Sequence, residues 1–130
     1  MGIDFKVDGI DMEYKDRASW SYSGFNRFRR RLAAAIGIEL DTMEGFGMGK
    51  GDIPWRGHMS DPICRLLNHS DCDGYLSAKS CALIAPRLRE LTKDWPDSLY
   101  EEYGYDKMQA GKLADMMDIA ASNNKCLIFC

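Results

Sequence analysis

Alternation near the N-terminus constrains this chain's fold more than any other feature. Ile3, Phe5 and Val7 are separated by charged residues, Asp8-Gly9 follows, and Ile10, Met12 and Tyr14 alternate again. Period-two alternation gives a strand one apolar face and one wet face. Asp-Gly between two such runs supplies the positive φ that a two-residue hairpin turn requires. The expectation is an antiparallel hairpin over 3–14. At the other end Cys126 to Phe129 is a short apolar run, read as a buried strand that pairs with the hairpin.

The intervening chain reads as helices. Ser23 is the expected N-cap of a helix carrying Phe25, Phe28, Leu32 and Ile36 at helical spacing, ended by Gly37. Ser60-Asp61-Pro62 begins a short helix with Ile63, Leu66 and Leu67. Ser77 caps another, with Cys81, Ile84, Leu88 and Leu91 on one side and Pro86 expected to kink or split it. Trp95-Pro96 is a break, 97–103 a short helix, and 107–122 a longer one with Met108, Leu113, Met116, Met117 and Ala120 apolar. Asn123-Asn124 is a turn. The fold class is therefore α+β: a small antiparallel sheet, made of the N-terminal hairpin and the C-terminal strand, packed with about four helices. A chain of 130 residues fits one domain spanning 1–130. It can bury roughly two-thirds of its unfolded surface without a staple.

The net charge of −3 argues against general nucleic-acid binding, which calls for a basic excess. The five cysteines are odd in number and have no scaffold spacing, so reduced thiols and a cytoplasmic location are expected. The opening residues do not have the pattern of a secretory leader. Lys6 stands where a myristoylation signal needs Ser or Thr, and Cys126 is one residue too far from the end for a prenylation box. No apolar run approaches the roughly 20 residues of a membrane span, so no membrane partner is expected.

Three segments carry candidate chemistry. Residues 41–58 hold five of the 12 glycines and show no periodicity, which reads as a long surface loop. Its Gly45-Phe-Gly-Met-Gly-Lys-Gly51 stretch suggests an anion cradle with Lys50. It fails the Walker pattern, however, with Glu44 where the first glycine belongs and Gly51 where Ser or Thr belongs. Arg27, Arg29, Arg30 and Arg31 crowd one helix just after Trp20 and Tyr22, and arginine beside aromatic rings can grip phosphate and stack on a base. The plain alternative is a solvated helix face paired with acids. The candidate ligand-contacting residues are Trp20, Tyr22, Arg27, Arg30, Arg31 and Lys50.

Residues 69–80 resemble the middle of a calcium-binding EF-hand loop. Aligned on Gly74, Asp71 and Asp73 fall on the third and fifth positions, Tyr75 offers the seventh-position carbonyl and Ser77 the ninth. The ends depart from the pattern, with His69 in place of the first aspartate and Ser80 in place of the closing glutamate. At best this implies weak divalent-cation binding by Asp71, Asp73, Tyr75 and Ser77. The plain reading is a helix–turn–helix corner capped by Ser77. His69, Asp71 and Asp73 would also serve a metal-dependent hydrolase. Cys64, His69, Cys72 and Cys81 do not have the spacing of a common zinc site.

Ser21 to Leu32 (SYSGFNRFRRRL), Leu66 to Leu91 and the Phe-Cys ending resemble a set of small uncharacterised proteins of bacteria and phages. The resemblance implies a compact accessory or host-interaction protein and no particular reaction. The expected function is a small non-enzymatic binding protein, an inhibitor or sequestering protein with a protein or nucleotide partner and no obligate cofactor. Metal binding and metal-dependent hydrolysis are the alternatives.

Overall fold

The computed structural model describes residues 2–70, 73–97 and 102–130. Their order is β1 (Gly2–Val7), β2 (Ser19–Ser21), α1 (Tyr22–Ala35), α2 (Cys64–Leu67), β3 (Tyr75–Leu76), α3 (Ala78–Thr92), α4 (Glu102–Ser122) and β4 (Leu127–Phe129). The fold is α+β. The four strands form one antiparallel sheet in the order β2-β1-β4-β3, and the four helices pack with it. Alternation in β1 does what it predicts: Ile3, Phe5 and Val7 are buried while Asp4 and Lys6 face water. Phe5 opposes Phe129 of β4, their ring centroids 4.8 Å apart edge to face. That contact joins the two ends of the chain.

The N-terminal hairpin is only half formed. The Asp8-Gly9 turn exists, with Gly9 at φ +71° and Ile10 N–H donating to Val7 O at 3.1 Å. Pairing stops after Val7 and Ile10, and Tyr14 lies in a 3-10 turn, 72% exposed. The partner of β1 on that side is β2, where Trp20 opposes Ile3. Burial decides the competition. The Trp20 indole stacks on Phe28 at 4.5 Å and meets Phe25 at 5.4 Å, a contact set that Tyr14 has no counterpart for. The outer edge of β2 is closed by α4: Ser19 N–H donates to Gln109 Oε1 at 3.0 Å and Tyr105 OH donates to Ser19 O at 2.9 Å. Side chains thus occupy backbone groups that would otherwise template another strand.

Helix α1 begins two residues earlier than Ser23 suggests. Ser21 is the cap, its Oγ accepting from Gly24 N–H at 3.0 Å. The helix ends as expected at Gly37, with φ +77°. Gly37 N–H bonds to Ala34 O and Ile38 N–H reaches back to Ala33 O at 2.8 Å, the paired bonds of a Schellman stop. Ser77 caps α3 by accepting from Ser80 N–H at 3.1 Å. Pro86 does not split α3, which is one helix from Ala78 to Thr92. Both Pro86 and Ala82, whose carbonyl Pro86 cannot satisfy, lie on the solvent side. The helix expected over 97–103 falls largely outside the described residues. Helix α4 starts earlier than 107, and Met108, expected in the core, is 39% exposed. Among the described residues no helix is long and apolar enough to cross a membrane.

An ion pair ties the start of α2 to α3. Arg87 grips Asp61 with two prongs, Nε to Oδ1 at 3.1 Å and Nη2 to Oδ2 at 2.9 Å. The Arg87 hydrogen bonds, helped by Ile63 N–H, hold the Asp61 carboxyl below the usual carboxylate range. A lowered folded value means that the unfolded chain takes up the proton first. The pair's contribution is therefore complete above the ordinary carboxylate range and is lost as pH falls through the folded value. Both side chains are partly exposed, so screening limits it to about 1 kcal/mol or less. The stability gap between the native protein and Asp61→Asn should hold steady down to about pH 5 and close in stronger acid. A gap that widens toward acid, in urea melts taken at each pH, would contradict this.

Four cysteines are described, all as free thiols. Cys64 and Cys81 are fully buried, and burial pushes each thiol up to about 11. Cys130 is exposed. Alkylation of the native protein at pH 8 should modify Cys130 readily and spare Cys64 and Cys81 until denaturant is added, as peptide mass mapping would show.

Candidate functional site

A broad, open concavity lies between α1, the glycine-rich loop and the turn after α2, with a volume of about 1080 Å³. One wall is the exposed side of α1: Tyr22, Ser23, Asn26 and Arg30 recur at helical spacing. The opposite wall is Gly45 to Met48 with Lys50, and the end wall is Asn68 to Ser70.

The non-periodic loop read from the sequence is held by its own hydrogen bonds. Met43 and Ile53 form a bridge, and Asp52 and Ile53 N–H both donate to Thr42 O. Trp55 is buried and its Nε1–H donates to Glu44 O at 2.9 Å. Two glycines serve close approach: a Cβ on Gly47 would stand 2.2 Å from Asp41 O, and one on Gly51 2.1 Å from Met43 O. The loop is a clasp of short turns, knotted at Thr42–Ile53 and resting on a tryptophan.

Arg29 fixes the clasp to the helix. It is 4% exposed and lies within the buried stripe of α1, beside Phe25, Phe28 and Leu32. Its Nη1 donates to the Leu67 carbonyl, which a four-residue helix leaves without an intrahelical partner, and to the His69 carbonyl in the turn that follows α2. The guanidinium carbon lies 4.8 Å from the Phe25 ring centroid and 5.4 Å from that of Phe46. One cation therefore joins all three walls. The sequence held a signal for it, because i+4 from Phe25 is a core position on this helix.

The remaining predicted residues divide between two places. Tyr22, Arg30 and Lys50 border the groove. Arg30 is held by Asp41 at 2.5 Å, and this hydrogen bond keeps the Asp41 carboxyl below its ordinary range. Trp20, Arg27 and Arg31 border a smaller cleft of about 310 Å³ on the other side of α1, with Tyr105 and Asp106. There Asp106, 4% exposed, accepts from Trp20 Nε1 at 3.0 Å and from Arg31 Nη1. Trp20 is thus a core residue rather than a stacking platform. The single aromatic–arginine surface expected from sequence becomes two faces of one helix.

The acidic turn has a structural account of its own. His69 stacks on Phe129, ring centroids 3.8 Å apart, and its Nε2 lies 2.9 Å from Tyr75 O. That is the carbonyl which the calcium reading assigns to a cation. Asp73 Oδ1 accepts from Ser70 Oγ at 2.9 Å, and Ser77 caps α3. Gly74 has φ +94°, and a Cβ there would press on the His69 ring at 3.1 Å, so the corner itself requires glycine. Asp71 and Cys72 lie outside the described residues. Among the described residues no three His, Cys, Asp or Glu side chains gather as a metal set.

Compared with protein-family models, with curated proteins and with solved structures, the chain has no match.

Proposed function

We propose that the protein is a non-enzymatic binding protein, of the inhibitor or sequestering kind, that holds a nucleotide in the groove between α1 and the glycine-rich loop. The observation that carries this reading is the groove's composition. A basic side chain and glycine backbone stand on one wall, and an aromatic ring and the Asn26 amide on the other. Phosphate needs the first and a base needs the second. The volume suits a ligand of nucleotide size or larger.

Thermal shift and calorimetry with ATP, GTP, cyclic AMP and cyclic di-GMP test the reading. At a concentration of about 100 times its Kd, a ligand specific for the folded state adds about 2.7 kcal/mol of stability. In a domain of this size that is a rise of roughly 6 to 15 °C. The bound nucleotide should be recovered chemically intact by chromatography. Turnover of the nucleotide, or the absence of any shift across the panel, would defeat the proposal.

A further inference from the structure

The groove's basic side chains are not equivalent. Arg29 is committed to the Leu67 and His69 carbonyls and to two aromatic rings. Arg30 already has Asp41. Lys50 is exposed and makes no ion pair among the described residues.

Lys50 also closes an unusual turn. Gly47, Met48 and Gly49 have φ of +67°, +59° and +82°, and Lys50 N–H donates to Gly47 O at 3.1 Å. Three successive residues with positive φ closed by one such bond make a left-handed turn. The amides of Glu44, Phe46, Lys50, Gly51, Asp52 and Ile53 all have backbone acceptors. Those of Gly45, Gly47, Met48 and Gly49 have none among the described residues, and the last three are consecutive. Packing does not explain the left-handed Met48, whose side chain is 99% exposed, and that conformation costs an L residue about 1 to 2 kcal/mol.

We infer that the Gly47–Lys50 turn, rather than the arginines of α1, is the phosphate seat of the groove, taking the terminal phosphate of a nucleoside di- or triphosphate on three backbone N–H groups and the Lys50 ammonium. The inference rests on the nucleotide reading above and adds the groups that hold the phosphate. Phosphate lies at the loop, and the base lies toward Tyr22 and the amides of Asn26 and Asn68, each of which carries both a donor and an acceptor. Affinity then rises with the phosphate count, and nucleosides bind weakly.

Amide NMR of the full-length ¹⁵N-labelled chain tests the seat, at constant ionic strength, with sodium pyrophosphate as the probe and ATP in a parallel titration. Pyrophosphate should shift the Gly47, Met48 and Gly49 amides. Lys50→Ala should weaken both titrations about tenfold, Arg30→Ala less than threefold, and the charge control Lys79→Ala, at an exposed residue that does not line the groove, should change neither. Pyrophosphate shifts centred on α1, or a Lys50→Ala protein that binds as before, would overturn the seat. ATP binding in the groove with the loop amides unmoved would remove the seat and leave the nucleotide reading. Loop shifts with pyrophosphate but no binding of ATP or any other nucleotide would do the reverse.

Discussion

Replacing Asp106 with Ala should lower the folding free energy by about 3 to 5 kcal/mol, the usual result of removing one partner from a buried ion pair. The carboxylate is 4% exposed and receives the Trp20 indole at 3.0 Å on one oxygen and the Arg31 guanidinium on the other. It therefore joins α4 to β2 and to α1 at one point. Ala leaves a desolvated cation and a buried indole N–H without that acceptor. Asp106→Asn should fall between, because its carbonyl can still serve Trp20 while its amide faces Arg31 with the wrong sign. The pair Arg31→Met with Asp106→Leu should recover only the part of the loss due to the unpaired charge, since apolar side chains of similar size need no partner while the Trp20 N–H still lacks that acceptor. Urea melts of the four proteins decide it. A loss under about 1 kcal/mol in Asp106→Ala would mean that the carboxylate is solvated and the junction is held by packing alone.

What the sequence discloses depends on how far apart the partners are. Periodicity is local, so the buried faces of β1, α1 and α3 can be read directly: Ile3, Phe5 and Val7, then Phe25, Phe28 and Leu32, then Cys81, Ile84 and Leu88 are all buried. The Ser77 cap and the Gly37 stop involve neighbours a few residues apart, and they too are legible. The partner of β1 is not, because Asp8-Gly9 gives a turn signal whether or not a strand follows it. The choice between residues 10–14 and β2 is made by where Trp20 packs. The candidate site is legible in part. Lys50 and Tyr22 can be nominated from composition, but the Asn68–Ser70 wall and the Asp106 junction depend on contacts 38 to 86 residues apart. Arg29 is the instructive case. Charge suggests the surface, position on the helix indicates the core, and position prevails because the two carbonyls and two rings around it replace the water it loses.

Arg29→Ala should therefore cost about 3 to 4 kcal/mol, and the loss should be felt first in the glycine-rich loop. Hydrogen bonds from a charged donor are worth about 1.5 to 3 kcal/mol, and a desolvated cation over a ring about 2. Some of that is returned because Ala no longer buries a charge. The chain of contacts runs from α1 through the guanidinium to Phe46 on one side and to the Leu67 and His69 carbonyls on the other. With it cut, Phe46 still has Trp55 at 5.9 Å, so the clasp keeps its own hydrogen bonds and the exposed Arg30–Asp41 pair but loses its buried link to α1. Amide exchange should accelerate at Phe46 and Gly51 well before it does in α3 or α4, whose mutual packing does not involve Arg29. Arg29→Lys retains the charge but presents a single rotating ammonium in place of a planar fork, so it should recover less than half of the loss. Arg29→Met retains much of the stem's volume and none of the donors. If Met proves as stable as Arg, the residue is only filling space. If exchange rises evenly across the whole chain in Arg29→Ala, the loop and the helices unfold as one unit and the clasp has no independence.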